Sequence, residues 1–276
     1  MALAADYTRV EQRTKASAII GASIGVSFAL ALVLGPILAA WGGLPRVFEV
    51  TAVMGGLGLM VVLVGLPATP QLTDGGRAHI ADRKRLGEAL WGQGLGILYA
   101  SIFCLHLLLM AAFTSIPAVM TEQVGLPPEQ HAWLYLATLC GALPGVAILV
   151  RRRQALDDSR PLLALSVLLT VLGLVTALWA SSLLVLGVGF VLFFVGFTAL
   201  ETILPALVSI VAPTSLRGTA MGIFSSAQFL GVFTGGALGG NALHVGGAVG
   251  LVAVLSMLTG IWLAGLWRYG RAPTAA

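Results

Sequence analysis

The chain of 276 residues carries 15 Lys and Arg against 11 Asp and Glu, only 9% charged, while 58% of its residues are hydrophobic and 35 are Gly. Soluble domains devote about 25% of their residues to charge, so a water-soluble globule is excluded and lipid must cover much of the perimeter. The net charge of +4 implies no nucleic-acid partner, because the basic residues fall between the apolar runs.

A bilayer core of about 30 Å takes about 20 apolar residues per helix. Eight runs meet that length: Ser17 to Ala40, Val47 to Leu66, Leu95 to Met120, Ala132 to Val150, Pro161 to Ala180, Leu183 to Val211, Thr219 to Leu243 and Val245 to Trp267. The fold class expected is therefore an all-α membrane protein with eight transmembrane helices, both ends on one side. A polar stretch, Asp6 to Lys15, precedes the first run, and the opening residues lack the basic start of a cleaved signal peptide.

Lys and Arg divide unevenly between the faces. One face receives Arg9, Arg13, Lys15, Arg77, Arg83, Lys84, Arg85, Arg151, Arg152, Arg153, Arg160, Arg217, Arg268 and Arg271; the other receives Arg46 alone. Cationic loops stay in the cytoplasm, so both termini are expected there, in a multi-pass protein of the plasma (inner) membrane. Glu49, three residues after Arg46, reads as its interfacial ion-pair partner. The Pro- and Gly-containing stretch Pro67 to Gly94 reads as a cytoplasmic linker, with Asp82 to Glu88 as a short surface helix. Cys104 and Cys140 both lie in apolar runs and form neither a disulfide framework nor a metal-ligand set.

The first and seventh runs match. One follows Arg13-Thr-Lys-Ala16 and reaches Gly35-Pro36-Ile-Leu-Ala39-Ala40; the other follows Arg217-Gly-Thr-Ala220 and reaches Gly235-Gly236-Ala-Leu-Gly239-Gly240. A repeat of six helices makes runs three to eight one complete unit, residues 95–276. Residues 1–66 are then the last two helices of another unit, and residues 67–94 the connection. Small residues at Gly21, Gly25, Gly35, Pro36, Gly235, Gly236, Gly239 and Gly240 suit close helix packing. Gly21-Ala-Ser23-Ile-Gly25 also fits the nucleophile-elbow string, but that elbow needs a strand and a sharp turn; within a membrane helix it is not one.

On Arg13-Thr-Lys-Ala16, Leu34-Gly35-Pro36-Ile37, Leu105-His106-Leu-Leu-Leu-Met110, Tyr135-Leu-Ala-Thr138, Phe193-Phe194-Val195, Glu201 with Leu204-Pro205, and Gly218-Thr-Ala-Met-Gly222 with Ser226-Ala-Gln228-Phe-Leu-Gly231, the sequence resembles the major facilitator superfamily. Within it, the likeness is to the YajR-like branch of proton-coupled drug exporters. The resemblance implies that the eight helices are the fifth to twelfth of twelve, with four more before them. It also implies that the third and sixth runs line a central cavity. The exporters' Gly-spaced fifth-helix pattern is altered here, Ala22, Ala31, Ala39 and Ala40 standing at its other glycine positions.

An ionised side chain near the bilayer centre costs roughly 2.5 to 3.5 kcal/mol, so a deep acid needs an explanation, and Glu201 is one. It lies about 15 Å from the inner end of the sixth run, while His106 lies about 16 Å from the inner end of the third. Shared depth makes the two a candidate proton-coupling pair. The bland readings are a protonated carboxyl bonding a neighbouring helix and a histidine bonded to backbone. Helical spacing places Tyr99, Phe103, Met110 and Phe113 with His106, and Phe194, Phe197 and Thr198 with Glu201. With Gln228 as a weaker polar member, these are candidates to line a substrate cavity, or else ordinary packing.

The expected function is secondary active transport by alternating access: proton-coupled efflux of small apolar or cationic compounds, with lipid, protons, a small-molecule substrate and the four preceding helices as partners. No catalytic set, phosphate-binding loop or cofactor motif is present, so no enzyme is expected. The alternatives are a nonfunctional fragment and an uptake symporter of the same superfamily.

Overall fold

A computed structural model describes residues 13–65, 87, 89–90, 92–154, 158–213 and 216–269, with some side chains of the first helix and a few others left out. The described residues are all helical or turn. Helix α1 spans Arg13–Gly65, α2 Leu95–Phe113, α3 Ile116–Ala118, α4 Pro128–Gln154, α5 Arg160–Leu178, α6 Leu183–Val211 and α7 Arg217–Tyr269. The bounds of α6 are those expected from the sequence.

Two of these helices are each two legs in series. In α1 the helical geometry fails at Gly42 and at Gly43, where φ is 69°; in α7 it fails at Gly247, φ 58°. Left-handed backbone is cheap only for glycine, and Pro45, with no N–H to satisfy, starts the second leg of α1. Among the described residues seven stretches are long and apolar enough to cross a bilayer: Val33–Gly65, Leu95–Gln123, Pro128–Arg152, Arg160–Leu178, Leu183–Val211, Arg217–Ala242 and His244–Arg268. The expected crossing Ser17 to Ala40 falls on the first leg of α1, most of whose side chains lie outside the described set, as does the surface helix expected at Asp82 to Glu88.

The third expected crossing is not one helix. α2 stops at Phe113; the Thr114 and Ser115 hydroxyls donate back to the carbonyls of Ala111 and Ala112 at 2.7 and 3.0 Å, and Pro117 has no N–H for the Phe113 carbonyl. The chain continues through α3 and a wide turn at Val119–Gln123. The pair Arg46–Glu49 forms at 2.7 Å and is exposed, with the guanidinium 5.0 Å over Trp41.

Helix α7 lies along α2, α5 along α6, α4 against α6, and α1 against α4. The core joins Leu95, Ile102, Leu105 and Leu108 of α2 to Phe190, Phe193, Phe194, Leu200 and Leu204 of α6 and to Leu251, Leu255, Trp262 and Leu266 of α7. None of the described side chains of α1 is buried.

Because lipid tails are as apolar as Leu, helices in a bilayer gain little from hiding Leu and much from close contact. Two seams show that contact. A β-carbon added at Gly231, Gly235 or Gly239 of α7 would overlap the backbone of Phe103, Leu107 or Ala111 of α2, a step of four on both helices. Between α5 and α6, Gly173 meets the backbone at Phe193, Gly189 that at Ala177, and Gly196 that at Ser166. Of the expected packing glycines, then, Gly235 and Gly239 are backbone contacts, whereas Gly35, Gly236 and Gly240 face open space among the described residues. The surroundings of Gly21 and Gly25 lie outside the described set, and Pro36 is half-buried.

Candidate functional site

Three helices bring the polar groups together. His106, on α2, is buried; Glu201, on α6, keeps a quarter of its side chain exposed; Gln228, on α7, is half-buried. The separation from His106 Nε2 to Glu201 Oε1 is 3.6 Å, too long for a hydrogen bond, and Oε1 is sealed from the surface with no hydrogen-bond partner among the described residues. Nδ1 of His106 lies 3.2 Å from the Ile102 carbonyl. A carbonyl only accepts, so Nδ1 carries the proton, and Nε2 is free to accept from the Gln228 amide at 2.9 Å.

Sequence alone made Gln228 the weakest polar candidate; the structure places it closest to the histidine. Pro205 follows Glu201 by four residues and has no N–H to give the Glu201 carbonyl, so a backbone acceptor stands beside the carboxyl.

The aromatic candidates separate into two groups. Phe197 lies 5.7 Å from the His106 ring and 5.3 Å from Phe193. Phe193 in turn is 5.9 Å from Phe113, and Phe113 is 5.8 Å from Tyr135. Phe113, a member of this chain of rings, and Phe103, Met110 and Thr198 on the same two helices α2 and α6 are half-buried and retain surface. Phe194 is fully buried, 5.1 Å from Phe193 and 6.2 Å from Phe190, and packs as core. Tyr99 is buried, its hydroxyl donating to the Ala89 carbonyl at 2.7 Å, which ties it to the segment before α2 instead of to the polar group. Tyr135 and Phe190, which complete the ring cluster at 5.2 Å, lie outside the i±4 sets around His106 and Glu201. The signal that could have found them is the Phe-Phe pair Phe193-Phe194, which needs aromatic neighbours on two sides.

Residues 1–236 match the family described as Major Facilitator Superfamily. The chain belongs to the major facilitator superfamily. It is 35% identical over 273 residues to the inner membrane transport protein YajR of Escherichia coli (strain K12), covering 95% of this chain and 58% of that protein. An uncharacterized transporter of Buchnera aphidicola subsp. Acyrthosiphon pisum is 28% identical over 238 residues, 85% of this chain and 60% of its own length. Another from Buchnera aphidicola subsp. Baizongia pistaciae is 26% identical over 245 residues, 87% and 61%. The chain thus spans about three fifths of the length of these curated relatives. Membership makes it a multi-pass membrane protein of a transporter family, in contact with lipid.

Proposed function

We propose that this facilitator chain serves proton-coupled export of small apolar or cationic compounds by alternating access, with Glu201 as the proton-coupling group and His106 as its partner. The observation that carries the reading is the buried carboxyl oxygen of Glu201, 3.6 Å from His106 Nε2 and without a hydrogen bond among the described residues, about 15 Å along its helix from the inner end. Isolated charge at that depth is costly, so a carboxyl beside a titratable ring is suited to taking up a proton in one conformation and losing it in another. The half-buried faces of Phe103, Met110, Phe113 and Thr198 support an apolar substrate surface next to the acid, which would favour cations when ionised.

In this reading residues 1–66 belong to a first bundle, 67–94 to the connection and 95–276 to a second bundle. Both ends are cytoplasmic in the inner membrane, and four further helices supplied by polypeptide outside these 276 residues complete the first bundle. The six-helix repeat and the three-fifths coverage of the relatives support that arrangement. The test is transport of a fluorescent lipophilic cation in vesicles containing the chain joined to such a four-helix segment, driven by a pH gradient. Glu201→Gln is expected to abolish gradient-driven export while leaving binding of the cation measurable; full gradient-driven export by Glu201→Gln overturns the assignment.

A further inference from the structure

The proton-coupling pair straddles a joint between two locked helix pairs. α7 meets α2 backbone to backbone at Gly231, Gly235 and Gly239, and α5 meets α6 the same way at Gly173, Gly189 and Gly196. At these positions the paired helices touch without a full side-chain layer between their backbones. His106 and Gln228 ride on the first pair and Glu201 on the second, and what faces across between them is side chain: the carboxyl 3.6 Å from Nε2 and the Phe197 ring 5.7 Å from the imidazole.

His106 has one free lone pair, on Nε2, because Nδ1 is committed to the Ile102 carbonyl. Gln228 takes it, at 2.9 Å. Gly231 follows Gln228 by three residues, so the amide is carried on the part of α7 fixed against Phe103 of α2, and the contact does not depend on α6. Gln228, a donor to the bare Nε2, and the Glu201 carboxylate, an acceptor from a protonated Nε2, are therefore alternative partners of one atom.

We propose that Gln228 is a positioning residue that withholds Nε2 of His106 from Glu201 until a proton arrives. The proposal rests on reading Glu201 and His106 as the proton site. A hydronium ion reaching the site gives its proton to the Nε2 lone pair: one O–H bond breaks, the N–H bond forms, and a water molecule is left. Nε2 then donates and can no longer accept the Gln228 N–H. The acceptor facing it is the Glu201 carboxylate, and forming that bond draws the α5–α6 pair towards the α2–α7 pair. The other titratable groups on the packed helices are these among the described residues. α5 contributes Arg160, at its first position. The first leg of α7 contributes Arg217 and His244, about 16 Å or more along that leg from Gln228, and the second leg ends in Arg268. α4, packed on α6, contributes Glu129, Cys140, Arg151 and Arg152, His131, whose Nε2 lies 3.1 Å from the Leu126 carbonyl, and Tyr135, whose hydroxyl donates to Met120 Sδ at 3.4 Å. α2 itself adds Cys104, and Tyr99, whose hydroxyl is engaged with Ala89.

Magic-angle-spinning NMR of the chain in lipid bilayers, with labelled His, Gln and Glu, tests this. The His106 signals are identified by their loss in His106→Asn. At neutral pH the native chain should show Nδ1 protonated, Nε2 bare and hydrogen-bonded, and a coupling to the Gln228 amide. Gln228→Met, of similar length but without an amide, removes the donor that favours a bare Nε2, so at the same pH Nε2 should become protonated and donate to Glu201 within about 3.2 Å. Gln228→Glu, which offers no N–H when ionised, should protonate Nε2. An unchanged Nε2 signal and Glu201 distance in Gln228→Met, or a bare Nε2 in Gln228→Glu, overturns the proposal while leaving the proton site standing if the native pair titrates. If neither His106 nor Glu201 changes protonation between about pH 4 and 10, the proton-site reading fails and the proposal with it.

Discussion

At the residue scale, a buried polar atom in a membrane helix is informative because each must find a partner or stay costly. Most hydroxyls here solve the problem locally, by donating to the carbonyl four residues back, as Ser166, Thr170 and Thr259 do at 2.9, 2.8 and 2.7 Å. Ser101 does so too, at 2.7 Å to Ile97, and its oxygen also accepts from Trp262 Nε1 at 2.9 Å, a bond between α2 and the second leg of α7. Trp262→Phe should lower stability by about 1 kcal/mol, read as a lower unfolding midpoint in detergent. Ser101→Ala in the Trp262→Phe background should then add less than it does alone, since the two share one bond. Sequence placed Glu201 and His106 at one depth because rise per residue is fixed. It could not place Gln228, since a contact between residues 122 apart depends on where two helices cross, which periodicity does not encode. Tyr99 misled for a similar reason: its spacing to His106 fixed its face, but not that the segment before the helix folds back over it.

At the element scale, the apolar runs gave the all-helical membrane class and the length of α6, because the bilayer imposes the length; among the described residues seven stretches, against eight expected, are long and apolar enough to cross. The breaks were harder. Gly35-Pro36 and Pro117 lie inside apolar runs, where proline bends a helix, yet α1 loses its helical dihedrals at Gly42 and Gly43, and α2 ends before Pro117 with help from two back-bonding hydroxyls. Glycine spacing told which helix packs closely, but not which of Gly235 and Gly236 faces the neighbour. The difference is testable. Ala normally gains about 0.5 to 1 kcal/mol over Gly in a helix. Gly236→Ala, whose β-carbon meets nothing within 4 Å, should be neutral or slightly stabilising. Gly235→Ala would press on the Leu107 backbone and should cost about 1 to 3 kcal/mol net of that gain. Equilibrium unfolding of the two variants in the same detergent distinguishes them, and equal midpoints would contradict the observed packing.

At the scale of the whole molecule, the chain is asymmetric. Helices α2 to α7 enclose an interior of Phe and Leu, whereas the described α1 side chains include Trp41, Phe48 and Leu63 at 70% exposure or more. The distribution of Arg and Lys supports the proposal that both ends lie inside the cell, and fluorescent and phosphatase reporters test it. A green fluorescent protein fused after Ala276 should fluoresce, and alkaline phosphatase fused there should be inactive, while phosphatase inserted beside Arg46 should be active. The opposite pattern would invert the topology and put Glu201 nearer the outer than the inner face. Composition made the membrane class plain; the pairing of α2 with α7 and of α5 with α6 was not legible, because every run is apolar on all sides. The hydroxyl of Tyr99 on the Ala89 carbonyl has a mechanical meaning for such a molecule. It works as a rivet: a pull on Ala89 is delivered to α2 at Tyr99, about 10 Å along the helix from His106, and so arrives as a load on the very rod that carries the imidazole.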